Sequence, residues 1–575
     1  MEYKNSRRTI IFPILLAVAM ILGIAIGLSI TRKIEQGDIE LSRLLTPSFP
    51  TTKLGTILSL IDSKYVDAVP IDSITEEFIP QILSKLDPHS IYMPAKEAKE
   101  SMESLAGEFD GIGVVFNMAT DTVIIQNVVS GGPSEKVGIM SGDRIITIND
   151  SIVAGRNINQ NDIVKMLKGV GGTTVRLGIE RAGAQSLLPF EVVRSKIPVQ
   201  SIDAAFMIQP GIGYIKLLQF SRNSHEEFVN AVMQLKEQGM EHLIFDLTAN
   251  SGGFLDQAIL IANEFLPQNA LIVYTEGRAT RTAQTYADGT GRLIGQDMVL
   301  LIDEGSASSS EIVAGAFQDN DIGLIVGRRS FGKGLVQQQI PFNDGSLMNL
   351  TIARYHTPTG RSIQRPYNDP EAYNNDLLNR LLHSELISAD SIKLSDSLKY
   401  VTPKGKIVYG GGGIMPDVFV PMDTTALDKH VTSVMANNIL FNFTLKYTDE
   451  HRTELQQIKT MDDIKAFFEQ NEEQMYNEFV RYAASKGASI AGADKSSQDF
   501  MKYFIKGYIA RNTVLQDNGF YYFMYPVYNI VTKAVEILET APDQRAIFLT
   551  TIKGNESPKV TDGTTPEKAA DKKTN

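Results

Sequence analysis

Val299-Leu300-Leu301-Ile302-Asp303-Glu304-Gly305-Ser306-Ala307-Ser308-Ser309-Ser310-Glu311-Ile312-Val313-Ala314-Gly315-Ala316 runs from an apolar strand-like segment, through a turn of small residues, into an alanine- and glycine-rich helix. A buried strand that feeds a helix is the repeating unit of α/β architecture. A hydroxyl at such a turn faces a substrate, and the amide after it lies at a helix N-terminus, where developing negative charge is favoured. The same stretch also reads as a plain helix cap, because Ser308 and Glu311 have the spacing of a capping box.

Lys333 follows Ser308 by 25 residues, in Ser330-Phe331-Gly332-Lys333-Gly334, just after a second strand-like run, Ile322-Gly323-Leu324-Ile325-Val326. A lysine drawn into the interior can serve as a base for a serine nucleophile. To be half neutral near pH 7.5, its pKa must fall by roughly 3 from about 10.4, or about 4 kcal/mol. Burial supplies that much only if no carboxylate touches the ammonium. Gly327 to Lys333 also imitates a phosphate loop, but Gly334 leaves no hydroxyl for Mg²⁺, and the aspartate-bearing strand precedes the loop instead of following it. Gln337 shares a face with Lys333 in either helical or extended backbone, so its amide can orient the lysine or simply lie on a sheet surface. A third strand end, Asp246-Leu247-Thr248-Ala249-Asn250-Ser251-Gly252-Gly253, carries paired glycines whose amides can approach an oxyanion without a Cβ in the way.

Outward from these runs, strands alternate with helices over residues 197–425, which reads as one α/β core. Residues 105–196 hold short β-branched runs separated by glycine turns, with one helix from Gln160 to Leu167, and so form a small β module. Within it, Gly111, Ile112, Gly113 and Val114 can turn successive amides toward one point, a nest for a terminal carboxylate. Residues 31–104 read as a polar linker and then helices, one of them ended by Pro88, and residues 426–553 as an aromatic-rich helical extension. Residues 554–575 read as a disordered polar tail. Residues 1–30 place Lys4, Arg7 and Arg8 before an uncharged apolar stretch, the pattern of a membrane anchor with a cytoplasmic N-terminus. A cleaved signal peptide is the rival reading.

The chain has 575 residues, 43% of them hydrophobic and 21% charged, with a formal net charge of −12. That balance speaks against nucleic-acid binding. With no cysteine and only seven scattered histidines, thiolate chemistry is excluded, and neither a metal site nor another cofactor is expected.

The serine turn, the Ser330–Gly334 loop with Gln337, the Asp246–Gly253 turn, Thr357-Pro358-Thr359-Gly360-Arg361-Ser362-Ile363, Leu86-Asp87-Pro88-His89-Ser90 and Gly413-Ile414-Met415-Pro416-Asp417 together resemble the C-terminal processing, or tail-specific, serine peptidases. The resemblance covers about residues 50–425. It implies a crotonase-like ββα protease core with Ser308 as nucleophile, Lys333 as general base and Gln337 orienting the lysine. The Ser309 amide and that of Gly252 or Gly253 would form the oxyanion hole. Thr248 and Ser251 stand where Arg and Pro are more usual in that family, and Ser309 where Ala is common. The β module is similar to a PDZ domain, in which a peptide adds as a strand beside Ile112 to Val115. The partners implied are protein substrates with apolar, unstructured C-termini, the membrane through the N-terminal helix, and a second copy of the chain or a regulatory adaptor, but no nucleic acid. The expected place is the inner membrane, single-pass, with the catalytic part in the periplasm or another extracytoplasmic space. A catalytically silent PDZ scaffold that binds protein C-termini is the alternative.

Overall fold

The structure is a computed structural model that describes residues 52–118, 121–129, 131–423, 428–490 and 492–550. The expected membrane anchor and the polar tail lie outside the described residues. Among the described residues no helix is long and apolar enough to cross a membrane.

The chain divides into two compact units, residues 1–82 and 83–575. In the first, α1 (Lys53–Lys64) is capped by Thr52, whose hydroxyl oxygen accepts the Gly55 N–H at 3.3 Å. It is followed by α2 (Ile71–Leu83), which carries Pro80 inside it and ends at Leu83, ahead of the expected stop at Pro88.

The second unit begins with β1 (Ile91–Met93), a strand the periodicity does not announce, and α3 (Ala95–Ala106). Next comes β2 (Glu108–Gly111), followed by the β module: β3 (Val114–Asn117), β4 (Val123–Val128), β5 (Arg144–Ile148), α4 (Gln160–Leu167), β6 (Thr174–Glu180) and β7 (Leu188–Val193). Its sheet runs β3-β4-β5-β6-β7, so β3 is an edge strand. The module hangs on a two-stranded ribbon in which β2 pairs antiparallel with β8 (Ser195–Pro198).

The core sheet contains β9 (Ile202–Gln209), β10 (Ile212–Leu217), β11 (His242–Asp246), β13 (Asp297–Ile302), β14 (Leu324–Gly327) and β17 (Val418–Phe419), in that spatial order. β9 and β10 pair antiparallel, and every later pairing is parallel. Such strands are buried on both faces, and all six residues of β10 are indeed buried. One face packs on α5 (Ser224–Glu237), α6 (Leu255–Asn263) and α7 (Ser309–Asp319) through Phe228, Ala258 and Val313. A second sheet places β12 (Leu271–Glu276), β15 (Leu335–Pro341) and β1 against β16 (Leu347–His356).

The helical extension comprises α8 (Lys429–Ala436), α9 (Ile439–Glu450), α10 (Met461–Ser485), α11 (Lys495–Arg511), α12 (Gln516–Met524) and α13 (Asn529–Glu539). It is more than an appendage. Ile530, Val531, Ala534, Ile537 and Leu538 of α13 pack on Tyr214, Ile244, Val299 and Val326, and so cover the other face of the core sheet. The first five helices enclose a separate core around Phe443, Phe468, Phe479 and Ile505. They also meet the β module, where Arg144 pairs with Asp449 at 2.6 Å and Arg452 donates to the Ser141 carbonyl at 2.5 Å.

Candidate active site

The parallel strands end on one side of the sheet, and the three sequence-predicted loops are gathered there. β13 leads into the serine turn. Asp303 accepts the amides of Ala249 at 2.7 Å and Gly305 at 2.9 Å, and the Ser306 hydroxyl donates to the Leu247 carbonyl at 2.8 Å. These bonds tie the turn to the Asp246–Gly253 loop. From Ser306 to Asp319 every residue is buried except Ser308, which is partly exposed. The structure therefore separates Ser308 from Ser306, Ser309 and Ser310, none more than 1% exposed. Ser308 has φ +54° and ψ −112°. Such a conformation costs a non-glycine residue on the order of 1–3 kcal/mol and persists only where its surroundings impose it. It is also the kind of sharp strand-to-helix turn that presents a nucleophile.

Glu311 supplies much of that imposition. Its carboxylate, fully buried, accepts the Ser308 N–H at 2.9 Å, the Gly332 N–H at 2.7 Å, the Lys333 N–H at 2.8 Å and the Ser330 hydroxyl at 2.5 Å. Burial pushes its carboxyl above the ordinary value against the pull of these four donors. The expected reach-back of a capping box is present, but the same carboxylate also grips the lysine loop. Tyr355, 1% exposed, adds a second tie: its hydroxyl lies 2.5 Å from the Lys333 carbonyl and 3.2 Å from that of Ser308. A third tie is the Phe331 N–H, which donates to the Ser306 carbonyl at 2.9 Å.

Lys333 is half-buried and followed by the strand β15, not by the helix a phosphate loop requires. Burial lowers its pKa from the ordinary 10.5, while the charges of Glu311 and Asp87 pull it back up. Among the described residues it makes no ion pair, so desolvation decides the direction. The side chains of Ser308, Lys333 and Gln337 are not hydrogen-bonded to one another; what joins Ser308 and Lys333 is the Glu311 carboxylate, which accepts both backbone amides. Catalytic hydrogen bonds are often long without substrate and tighten in the complex. Gln337, opposite Thr351 in the β15–β16 ladder, gives its Nε2 to the Thr351 hydroxyl at 3.4 Å.

Two backbone donors beside the serine turn are left without an acceptor among the described residues. The Gly252 N–H is taken by Asn250 Oδ1 at 2.9 Å, whereas neither the Gly253 nor the Ser309 N–H has an acceptor among the described residues. Gly253 has φ +148°, and a Cβ there would lie 2.1 Å from the Phe220 carbonyl oxygen; one on Gly252 would lie 2.8 Å from Ser308 Cβ. Both positions need glycine. The Ser309 hydroxyl, where alanine was the more familiar residue, donates to the Gly253 carbonyl at 2.9 Å and fixes one oxyanion candidate against the other. Thr248 is explained by Lys216, whose ammonium binds Asp246 at 3.0 Å and the Thr248 hydroxyl at 2.7 Å, bracing the base of the loop.

Tyr355, Asp87 and His89 were not singled out as site residues by sequence reasoning. Asp87 Oδ1 accepts the amides of His89 and Ser90, both at 2.8 Å, an Asx turn that Asp-Pro-His-Ser could have signalled. His89 Nε2 lies 2.7 Å from the Tyr373 hydroxyl, and burial first, then the charge of Lys333, lowers its pKa to about 4. Tyr355 had no signal beyond one tyrosine in a strand.

In the β module, Ile112, Gly113 and Val114 stand at the start of the edge strand, and Gly113 has φ +72°. The Ile112 and Gly113 amides have no acceptor among the described residues. Gly111 is placed elsewhere: it pairs with Ser195 in the connecting ribbon, so its amide belongs to a ladder and not to a nest.

Residues 211–372 match the peptidase family S41, residues 111–192 match the PDZ domain, and residues 430–514 match a family of unknown function. A carboxy-terminal-processing protease of Bartonella bacilliformis is 34% identical over 317 residues, 54% of this chain and 72% of the relative. The carboxy-terminal processing protease CtpB of Bacillus subtilis is 31% identical over 350 residues, 60% of this chain and 71% of the relative. Among solved structures, the PDZ domain of a carboxy-terminal protease from Vibrio cholerae in complex with peptide is 32% identical, over 16% of this chain and 97% of that one, with a TM-score of 0.15.

Proposed function

We propose, from the premise that this chain belongs to the carboxy-terminal processing proteases of peptidase family S41, that it is a membrane-anchored, extracytoplasmic endopeptidase using a Ser308/Lys333 dyad on proteins captured by their apolar C-termini. The observation that carries the catalytic part is the pairing of one partly exposed serine with a desolvated lysine, both held by the buried Glu311 carboxylate.

Neutral Lys333 takes the proton of the Ser308 hydroxyl as Oγ attacks the scissile carbonyl carbon. The resulting oxyanion is met by the Ser309 and Gly253 amides, at the N-terminus of α7. When the C–N bond breaks, the Lys333 ammonium returns the proton to the leaving amine. Water then adds to the acyl-enzyme, giving a proton to Lys333; as the Oγ–C bond breaks, Lys333 returns that proton to Ser308 Oγ and the acid product leaves. Gln337 steadies the lysine through these transfers. The PDZ domain supplies recognition: a C-terminal strand adds along the open edge of β3, with its carboxylate at the Ile112 and Gly113 amides.

Incubation of the full chain with β-casein, an unstructured protein, tests this. Wild type cleaves it, and Ser308→Ala and Lys333→Ala each abolish cleavage. Tail binding that survives with no cleavage by wild type would favour a silent scaffold; cleavage by Lys333→Ala would remove the dyad.

A further inference from the structure

Gln337 lies across β15–β16 from Thr351, and Thr351 is gripped from a distant part of the chain. Its hydroxyl lies 3.1 Å from Asp87 Oδ1, and its N–H donates to the Ser90 hydroxyl oxygen at 3.1 Å. Ser90 in turn donates to Asp87 Oδ2 at 2.7 Å. Asp87 is 8% exposed and already accepts the His89 and Ser90 amides.

The directions of these bonds are forced. Backbone amides only donate, so Asp87 acts here as an acceptor. The Thr351 hydroxyl proton must therefore go to Asp87, and what Thr351 turns toward Gln337 is a lone pair. A lone pair takes the NH₂ end of a carboxamide, which matches the 3.4 Å contact from Nε2. Which end of an amide faces a neighbour is settled by its network, and this network permits one answer.

We infer that Thr351 and Asp87 are positioning residues for the reaction, fixing the Gln337 amide so that its carbonyl oxygen is the end left to hold the Lys333 amine. Among the described residues nothing donates to that oxygen. The inference rests on the dyad reading above and adds a relay, Asp87 to Thr351 to Gln337, that begins 110 residues before the α/β core at residue 197. The Asp87-Pro88-His89-Ser90 motif then has a role in the peptidase site although it precedes the β module.

A double-mutant cycle on the full chain in detergent, with β-casein as substrate, tests the relay. Thr351→Val should lower kcat about tenfold with KM within twofold of wild type, and Thr351→Ser, which keeps the hydroxyl, should recover most of that rate. In a Gln337→Ala background, Thr351→Val should have no further effect. If it lowers kcat there by the same factor as in wild type, or changes nothing in wild type, the relay is wrong. Should thermal melting show Thr351→Val to be misfolded, Thr351→Ala takes its place in the same cycle. Residual cleavage by Ser308→Ala would instead overturn the dyad reading, whatever the cycle gives.

Discussion

In the peptidase core, two loops from different strands meet at one buried carboxylate, whereas the β module meets the rest of its unit through a two-stranded ribbon and partly exposed charges. Glu311 receives four donors and is fully buried. Arg144 and Asp449, the main pair across the module boundary, keep 28% and 21% of their side-chain surface. Buried, fully satisfied polar groups are strong and specific, and their loss leaves unpaired partners. Ion pairs that solvent reaches contribute less and are screened by salt. The serine and lysine loops are thus held by a buried network, and the β module by contacts that solvent reaches.

The largest expected effect breaks the first half of that comparison. Glu311→Ala orphans the Ser308, Gly332 and Lys333 amides together, at about 1–3 kcal/mol each. Chemical denaturation should show a loss of at least about 3 kcal/mol, and cleavage should fall below detection even where the protein still folds. A variant as stable and active as wild type would mean the carboxylate does not organise the site.

Acid probes the same region more gently. Folded His89 binds its proton near pH 4, against an ordinary value of 6.5 in the unfolded chain. Between those limits the unfolded state holds more protons, so stability falls as pH drops from 6.5 toward 4, and above 6.5 the effect is absent. The loss is at most about 3 kcal/mol, and less to the extent that solvent reaches the ring. Melting temperatures across this range should fall less steeply in His89→Gln than in wild type.

The smallest effect sharpens the second half. Arg452→Ala removes a bond to the Ser141 carbonyl at 2.5 Å and one to Asp449 at 2.7 Å. It should cost about 1 kcal/mol or less, diminishing with salt. Hydrogen exchange should quicken in residues 138–144, and KM for a tailed protein should change while kcat holds.

The two regions also differed in how far the sequence disclosed them. Ser308, Lys333 and the paired glycines stand in short motifs because each meets a local backbone demand: a sharp turn, a glycine-only φ, a close approach. The β module and the parallel core were legible for the same reason, through β-branched runs and glycine turns. Tyr355 and Thr351 escaped because their partners lie far along the chain, Asp87 being 264 residues from Thr351. The role of α13 escaped because an amphipathic helix announces that it has an apolar face but not which sheet receives it. Strand β1 escaped because three residues are too few to show a period.

The pH dependence of kcat/KM tests the central claim, that a desolvated lysine serves the serine, most directly. The account predicts one limb rising with pH, with an apparent pKa below 10.5 and set by Lys333, absent from Lys333→Ala because no activity remains. A limb near 4 that vanishes in His89→Gln while Lys333→Ala still turns over would contradict it, and would give the proton to histidine instead.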